Sequence, residues 1–151
     1  MANIHFKIVT PERTVADQEV YQVTLPIQDG EVTVLPEHIP YIGLVRAGEI
    51  VLRTEPGGPE TSFATSGGFV EFHKNVLVVL ADTAERAEEI DLERAEAARA
   101  RALELQKERI HMDDEEYART AALLEKELAR IKVARKRHGR TGIHLNGNNQ
   151  P

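Results

Sequence analysis

Apolar and polar residues alternate strictly near the start of the chain, where Ile4, Phe6 and Ile8 are separated by His5 and Lys7. A period of two is the signature of a β-strand with one buried face. Tyr21, Val23, Leu25 and Ile27 alternate in the same way. Further β-rich pieces follow at EVTVL (31–35), EIVLRT (49–54), TSFAT (61–65), GFVEF (68–72) and NVLVVL (75–80). Turn-forming residues separate them: Asp29-Gly30, Ala47-Gly48, Pro56-Gly57-Gly58-Pro59 and Ser66-Gly67-Gly68. Short strands at this spacing predict a β-sandwich or flattened barrel. The run VLVVL lacks alternation, which predicts a central strand buried on both faces.

From about residue 85 the pattern changes. Gly and Pro vanish until Gly139, and the strong helix formers Ala, Glu, Arg and Leu dominate. Two helices are expected, broken near His111-Met112-Asp113-Asp114, where Asp113 and Glu116 form a capping box. Tyr117, Ala121, Leu124, Leu128 and Ile131 step along the second helix as a heptad seam. The first helix offers Ala95, Ala98, Ala102 and Leu105 at matching steps. A seam rich in alanine buries little apolar area, about 0.8 kcal/mol less for each absent methylene, so the hairpin should dock weakly. The expected organisation is a β-sandwich at 1–84, a two-helix hairpin at 85–138 and a disordered tail at 139–151.

Charge sharpens this division. The net charge is −6, yet residues 1–90 carry 6 Lys/Arg against 14 Asp/Glu, while residues 91–151 carry 13 against 11. An acidic chain is a poor nucleic-acid binder. There is no cysteine, hence no disulfide or thiolate site, which suits a reducing compartment. No apolar run is long enough to span a membrane, and the N-terminus MANIHFKIV lacks the pattern of a signal peptide.

Catalytic chemistry is not visible. No phosphate-binding GxxxxGK[ST], nucleophile GxSxG or zinc-binding HExxH is present, and the six histidines stand at no metal-ligand spacing from one another. Ser66-Gly67-Gly68 leads into a strand rather than a helix, so it reads as a turn and not a phosphate loop. No catalytic residue and no metal site are expected.

The order of motifs is informative. GEVTVLPEHIPYIGLVRAGEI (30–50) followed by TSGGFVEFHKNVLVVLADTAERAEEID (65–91), with VTPERTV before and two helices after, resembles the epsilon subunits of F-type ATP synthases over nearly the whole chain. The resemblance implies a β-sandwich plus a C-terminal helical hairpin. It further implies a non-catalytic central-stalk subunit of a proton-translocating synthase, peripheral on the cytoplasmic face of the cell membrane and touching the membrane only through the complex. The implied partners are the gamma subunit and the c-ring, with the alpha and beta subunits reached by an extended hairpin that restrains ATP hydrolysis. An alternative from another class is a free-standing β-sandwich binding module with a helical dimerisation hairpin.

Three groups of residues are candidates for interaction. His38, in the LPEHIP loop, either braces that loop or meets the ring. The run KELARIKVARKRHGR (126–140) carries seven Lys/Arg and one Glu, more cations than one helix end can use. It points to an acidic partner, with Lys132, Arg135, Lys136 and Arg137 as contacts. The third group surrounds IDLERA (90–95). Asp91 is a good N-cap, but a cap does not explain Arg94 in the first turn, where a cation opposes the helix dipole. IDLERA also matches the I/L-D-x-x-R-A motif that binds ATP in some bacterial epsilon subunits. By that resemblance Ile90, Asp91, Arg94 and Ala95 would meet the nucleotide, with Glu85 on the sandwich side and Arg101, Arg119, Lys126 and Arg130 on the helices. Lys126 stands where nucleotide-binding members have arginine, so it keeps the charge without the fork. No cofactor is required on this reading; ATP would be a regulatory ligand.

Overall fold

The computed structural model describes residues 2–143, with backbone only for residues 140–143. Ten strands form two five-stranded sheets. The first sheet contains β1 (Ile4–Val9), β2 (Thr14–Val20), β5 (Tyr41–Val45), β8 (Gly68–His73) and β9 (Val76–Ala81), in the order β2-β1-β9-β8-β5. The second contains β3 (Gln22–Ile27), β4 (Gly30–Val34), β6 (Gly48–Arg53), β7 (Glu60–Thr65) and β10 (Ala84–Arg86), in the order β10-β7-β6-β3-β4. All pairings are antiparallel except β1 with β9. The alternating residues Ile4, Phe6, Ile8, Val23 and Leu25 point inward, as their period requires, and meet Ile50, Leu52, Phe63, Val70, Phe72, Leu77 and Val79 in one core.

Three strands escaped the sequence pattern. β2 is an edge strand that buries only Ala16 and Val20, so it has little apolar periodicity. β5 inverts the usual rule: Val45 is buried, whereas Ile42 and Leu44 face out. β10 begins the segment expected to be helical. It pairs with β7, and a single 3-10 turn (Ala87–Glu89) separates it from the first helix. The expectation for VLVVL is corrected too. β9 is central, but only Leu77, Val79 and Ala81 are buried; Val76 and Leu80 are exposed on the outer face. The Ser66-Gly67-Gly68 segment is a turn between β7 and β8. Gly68 takes φ +154°, and a Cβ there would lie 2.0 Å from the carbonyl oxygen of Leu80, so only glycine fits.

Helices α1 (Leu92–Lys107) and α2 (Asp114–Ile143) form the hairpin. Asp91 caps α1, its Oδ1 accepting from the amide of Arg94 at 3.1 Å. At α2 the Asp113 Oδ1 accepts from the Glu116 amide at 2.8 Å, and Glu116 reaches back to the Asp113 amide at 3.4 Å. The helix passes Gly139 without a break, so residues 139–143 of the expected tail are helical; residues 144–151 lie outside the described residues. Each glycine costs a helix only about 1 kcal/mol, and α2 carries two, Gly139 and Gly142, among its 30 residues.

The heptad seam holds for part of its length. Ala95 and Ala102 are buried, but Leu105 and Leu128 are exposed. The reason is that α2 lies between α1 and the second sheet, against β6, β7 and the 3-10 turn. Beyond residue 126 its buried positions shift to Glu127, Ala129, Ile131, Val133 and Ala134. A small cluster of Ala64, Ala87, Ile90, Val133 and Ala134, with Leu92 against it, joins hairpin to sandwich.

Candidate functional site

Where β10, the 3-10 turn and the start of α1 meet α2, a cleft of about 410 Å³ opens, lined by Glu85, Glu89, Asp91, Arg94, Ala97, Ala98, Arg101 and Arg130. Asp91, Arg94, Ala98 and Arg101 share one face of α1 because they are spaced by three and four residues. Alanine at 97 and 98 leaves the middle of that face hollow. Opposite stand Glu85 from β10 and Arg130 from α2, joined by a forked pair: Arg130 Nε to Glu85 Oε2 at 2.6 Å and a second guanidinium nitrogen to Oε1 at 3.3 Å. Arg130 also donates to Glu127 Oε2 at 2.8 Å. Burial opposes the charge on Arg130, but hydrogen bonds to Glu85 and Glu127 and their negative charges outweigh it, so the guanidinium is held above its ordinary pKa. Arg94 and Arg101, in contrast, have no side-chain ion-pair partner among the described residues. Two unpaired cations facing a hollow suit an anion.

The predicted nucleotide residues are distributed unevenly around this cleft. Glu85, Asp91, Arg94, Arg101 and Arg130 line it together. Ile90 turns away into the cluster between hairpin and sandwich, and Ala95 is fully buried. Lys126, one turn before Arg130, does not line the cleft. Arg119 lies about 16 Å from Arg130 along the helix axis at 1.5 Å per residue. There it is exposed, pairs with Glu115 and borders a separate hollow with Leu105 and Met112. Two acidic residues at or beside the cleft were missed, along with Ala97 and Ala98, which leave it hollow. Glu89 lines the cleft and is held by Arg13 from the β1–β2 turn at 3.1 Å, a pairing across 76 positions that no local pattern announces. Glu127 is buried, and its signal was only its place three residues before Arg130.

The basic run finds its acids within the chain. Arg135 pairs with Glu96 on α1 at 2.8 Å. Lys136 sits 2.8 Å from Glu49 and 3.4 Å from Glu60. Arg137 donates to the carbonyl oxygen of Glu88 at 3.4 Å. Lys132 is exposed beside a shallow hollow with Arg46 and Glu125. Much of the excess charge thus holds the hairpin in place. His38 donates from Nδ1 to the Ile39 carbonyl at 2.7 Å and stands edge-on to Phe72 and Tyr41, contacts that brace its own loop. That loop is tied to the β8–β9 turn, since the Glu37 amide, at φ +65°, donates to Asn75 Oδ1 at 2.6 Å.

A third surface has no chemistry but much apolar area. On the outer face of the first sheet Ile42 (78% exposed), Leu44 (57%), Phe69 (59%) and Leu80 (56%) lie side by side, because Leu44 pairs with Phe69 and Phe69 with Leu80 across adjacent strands. The outer face of the second sheet carries Glu49, Val51, Arg53, Glu60, Ser62 and Ala64 and is the one that α2 covers. No group of three His, Cys, Asp or Glu among the described residues could hold a metal, and no helix there is long and apolar enough to cross a membrane.

Comparison with known proteins gives this arrangement a family. The model for the family "ATP synthase, Delta/Epsilon chain, beta-sandwich domain" matches residues 3–87. The chain is 43% identical over 129 residues to the ATP synthase epsilon chain of Desulforamulus reducens, covering 84% of this chain and 93% of that protein. It is 42% identical over 137 residues to the ATP synthase epsilon chain of Dehalococcoides mccartyi, covering 91% and 96%. Among solved structures, a chain of the Euglena gracilis mitochondrial ATP synthase (OSCP/F1/c-ring) superposes with a TM-score of 0.73 at 22% identity over 89% of this chain and 82% of that one, which speaks to the fold. The chain therefore belongs to the ATP synthase epsilon family, whose members are non-catalytic subunits of that complex.

Proposed function

We propose that this chain is the central-stalk subunit of a proton-translocating F-type ATP synthase that docks its sandwich on the gamma subunit and the c-ring and restrains ATP hydrolysis with its hairpin. The observation that carries the reading is the open apolar face of Ile42, Leu44, Phe69 and Leu80, on a sandwich whose other, more polar face is already covered by α2. Contiguous exposed apolar surface of this kind marks a protein interface. Bound there, the chain sits peripherally on the cytoplasmic side of the membrane, held through the complex. The hairpin, anchored by a small apolar cluster and by ion pairs, is free to exchange those pairs for acids of the alpha and beta subunits. Reconstitution with gamma, alpha and beta subunits tests both parts. Leu44→Glu with Phe69→Glu should weaken incorporation by about 100-fold or more, since buried interface anchors carry roughly 2 kcal/mol or more each. Deleting residues 91–151 should leave incorporation intact and raise hydrolysis. Undiminished incorporation of the charged variant rules out this face as the dock, and unchanged hydrolysis rules out the hairpin as the restraint.

Arg94 and Arg101 favour an additional role for the cleft, as a regulatory ATP site without hydrolysis. The cavity volume lies in the usual range for small-ligand pockets, roughly 300–1,000 Å³. A nucleotide bridging α1, β10 and α2 would stabilise only the docked hairpin and so shift its population. Calorimetry with ATP on the full chain should show binding that Asp91→Ala and Arg94→Ala each weaken about tenfold, the scale of one charged hydrogen bond. Arg119→Ala should change nothing. Equal losses from Arg94 and Arg119 would place the ligand elsewhere, and no heat would remove the nucleotide from the mechanism.

A further inference from the structure

Lys136, near the C-terminal end of α2, reaches a pair of carboxylates on the outer face of β6 and β7. Its Nζ lies 2.8 Å from Glu49 Oε1 and 3.4 Å from Glu60 Oε2. Both carboxylates are held by the sandwich itself. Ser62 Oγ donates to Glu49 Oε1 at 2.7 Å, and Arg53 donates to Glu60 Oε1 at 2.5 Å and to the Gly58 carbonyl at 2.5 Å. The acidic pair is therefore preformed. It stays in place whether the helix is present or not, so little ordering is needed when the helix lands. The Glu49 side chain is only 9% exposed and that of Lys136 34%, so water screens this pair less than a surface pair. The apolar cluster beneath this part of the hairpin is small, three alanines with Ile90 and Val133 and with Leu92 against them.

We infer that Glu49 and Glu60 form a built acidic seat for Lys136, and that occupancy of this seat sets how often the hairpin lifts from the sandwich. Lys136 cannot hold an acidic partner while seated, so release from the seat precedes any such contact. The inference concerns the docked hairpin alone and stands whether or not the hairpin restrains hydrolysis.

The chain has no cysteine, so one introduced thiol can report lifting. Ala134, 1% exposed between helix and sandwich, is changed to cysteine in the full chain, and its labelling rate is measured. Lys136→Glu in this background should speed labelling about tenfold, by placing a third carboxylate against the seat. Lys136→Gln should speed it less, in the same direction. Adding Glu49→Lys to Lys136→Glu should restore most of the protection, since the pair is then remade with its signs exchanged. A cysteine at the core position Val79 should label at the same slow rate in all variants. Unchanged labelling at position 134 in Lys136→Glu, failure of the exchanged pair to restore protection, or equal acceleration at position 79 would each overturn the inference.

Discussion

Replacing Phe63 by alanine is expected to remove about 3–5 kcal/mol of the sandwich's stability, the usual result of deleting a buried aromatic ring. Phe63 lies on β7 with no exposed surface, its ring 6.4 Å from that of Phe6 on the opposite sheet. The guanidinium of Arg86, the last residue of β10, is 5.5 Å from the ring centre. The substitution therefore empties the space between the sheets and loosens the strand that leads into the hairpin. Other side chains cannot refill the volume, because the core that Phe63 shares with Ile4, Ile8, Leu25 and Leu77 is already closely packed. In a thermal melt followed by circular dichroism the midpoint should fall on the order of 20 °C for a domain of this size. Phe69→Ala is the matched control. Phe69 is only six positions away but lies on the open outer face, so the isolated chain should lose no more than about 0.5 kcal/mol. Similar losses at both positions would contradict the assignment of inner and outer faces.

Arg130→Ala should have the opposite profile, releasing the hairpin while the sandwich still melts as one unit. Among the described residues Arg130 is the cation that pairs with the buried Glu127, and it forks onto Glu85 across the junction. Removing one member of a buried ion pair leaves uncompensated charge, which costs about 3–5 kcal/mol. At about 3 kcal/mol the amides of α2 should exchange some 100-fold faster, since each 1.4 kcal/mol is tenfold. Arg130→Lys should recover little of this, because an ammonium cannot bridge two carboxylates as the fork does. The pH dependence has a definite sign. Arg130 is held above its ordinary pKa, so its contribution is complete below that value and is lost only as pH rises through the still higher folded value. At every pH from acid to moderately alkaline the cation is therefore present, and no loss of this contribution is expected across that range. Exchange of α2 amides that is unaltered in Arg130→Ala would show that the hairpin is held by something else.

Much of the fold is written in short-range pattern. The period-two run at Ile4–Ile8 and the Val23 and Leu25 of the second run sit in strands with the expected faces inward, and the two caps, at Asp91 and at Asp113 with Glu116, stand where residue type alone places them. The cleft was partly legible for the same reason. Arg94 exceeds what the Asp91 cap requires, which marks it from the residues alone, whereas Glu85, Arg101 and Arg130 are marked only by the family resemblance. What pattern could not supply was direction. In β5 and β9 nearly every residue is apolar, so hydrophobicity cannot say which side meets the core. The choice follows from pairing with β8 and from the chain order of the sheet.

The amino-acid sequence by itself determined seven of the ten strands, both α-helices, their order, the helix starts and the separation of an acidic sandwich from a basic hairpin. Each of these depends on backbone periodicity or on hydrogen bonds within four residues. The tertiary structure alone decided which acid meets which base. Arg130 finds Glu85 across 45 positions and Lys136 finds Glu49 across 87, because α2 crosses the outer face of β6 and β7 after the chain has closed both sheets. It also decided that Ile90 of the IDLERA motif is a plug between hairpin and sandwich rather than part of the cleft wall. A side chain's partner depends on where the chain returns in space, and a Coulomb attraction or an apolar contact has no periodicity along the sequence to reveal it.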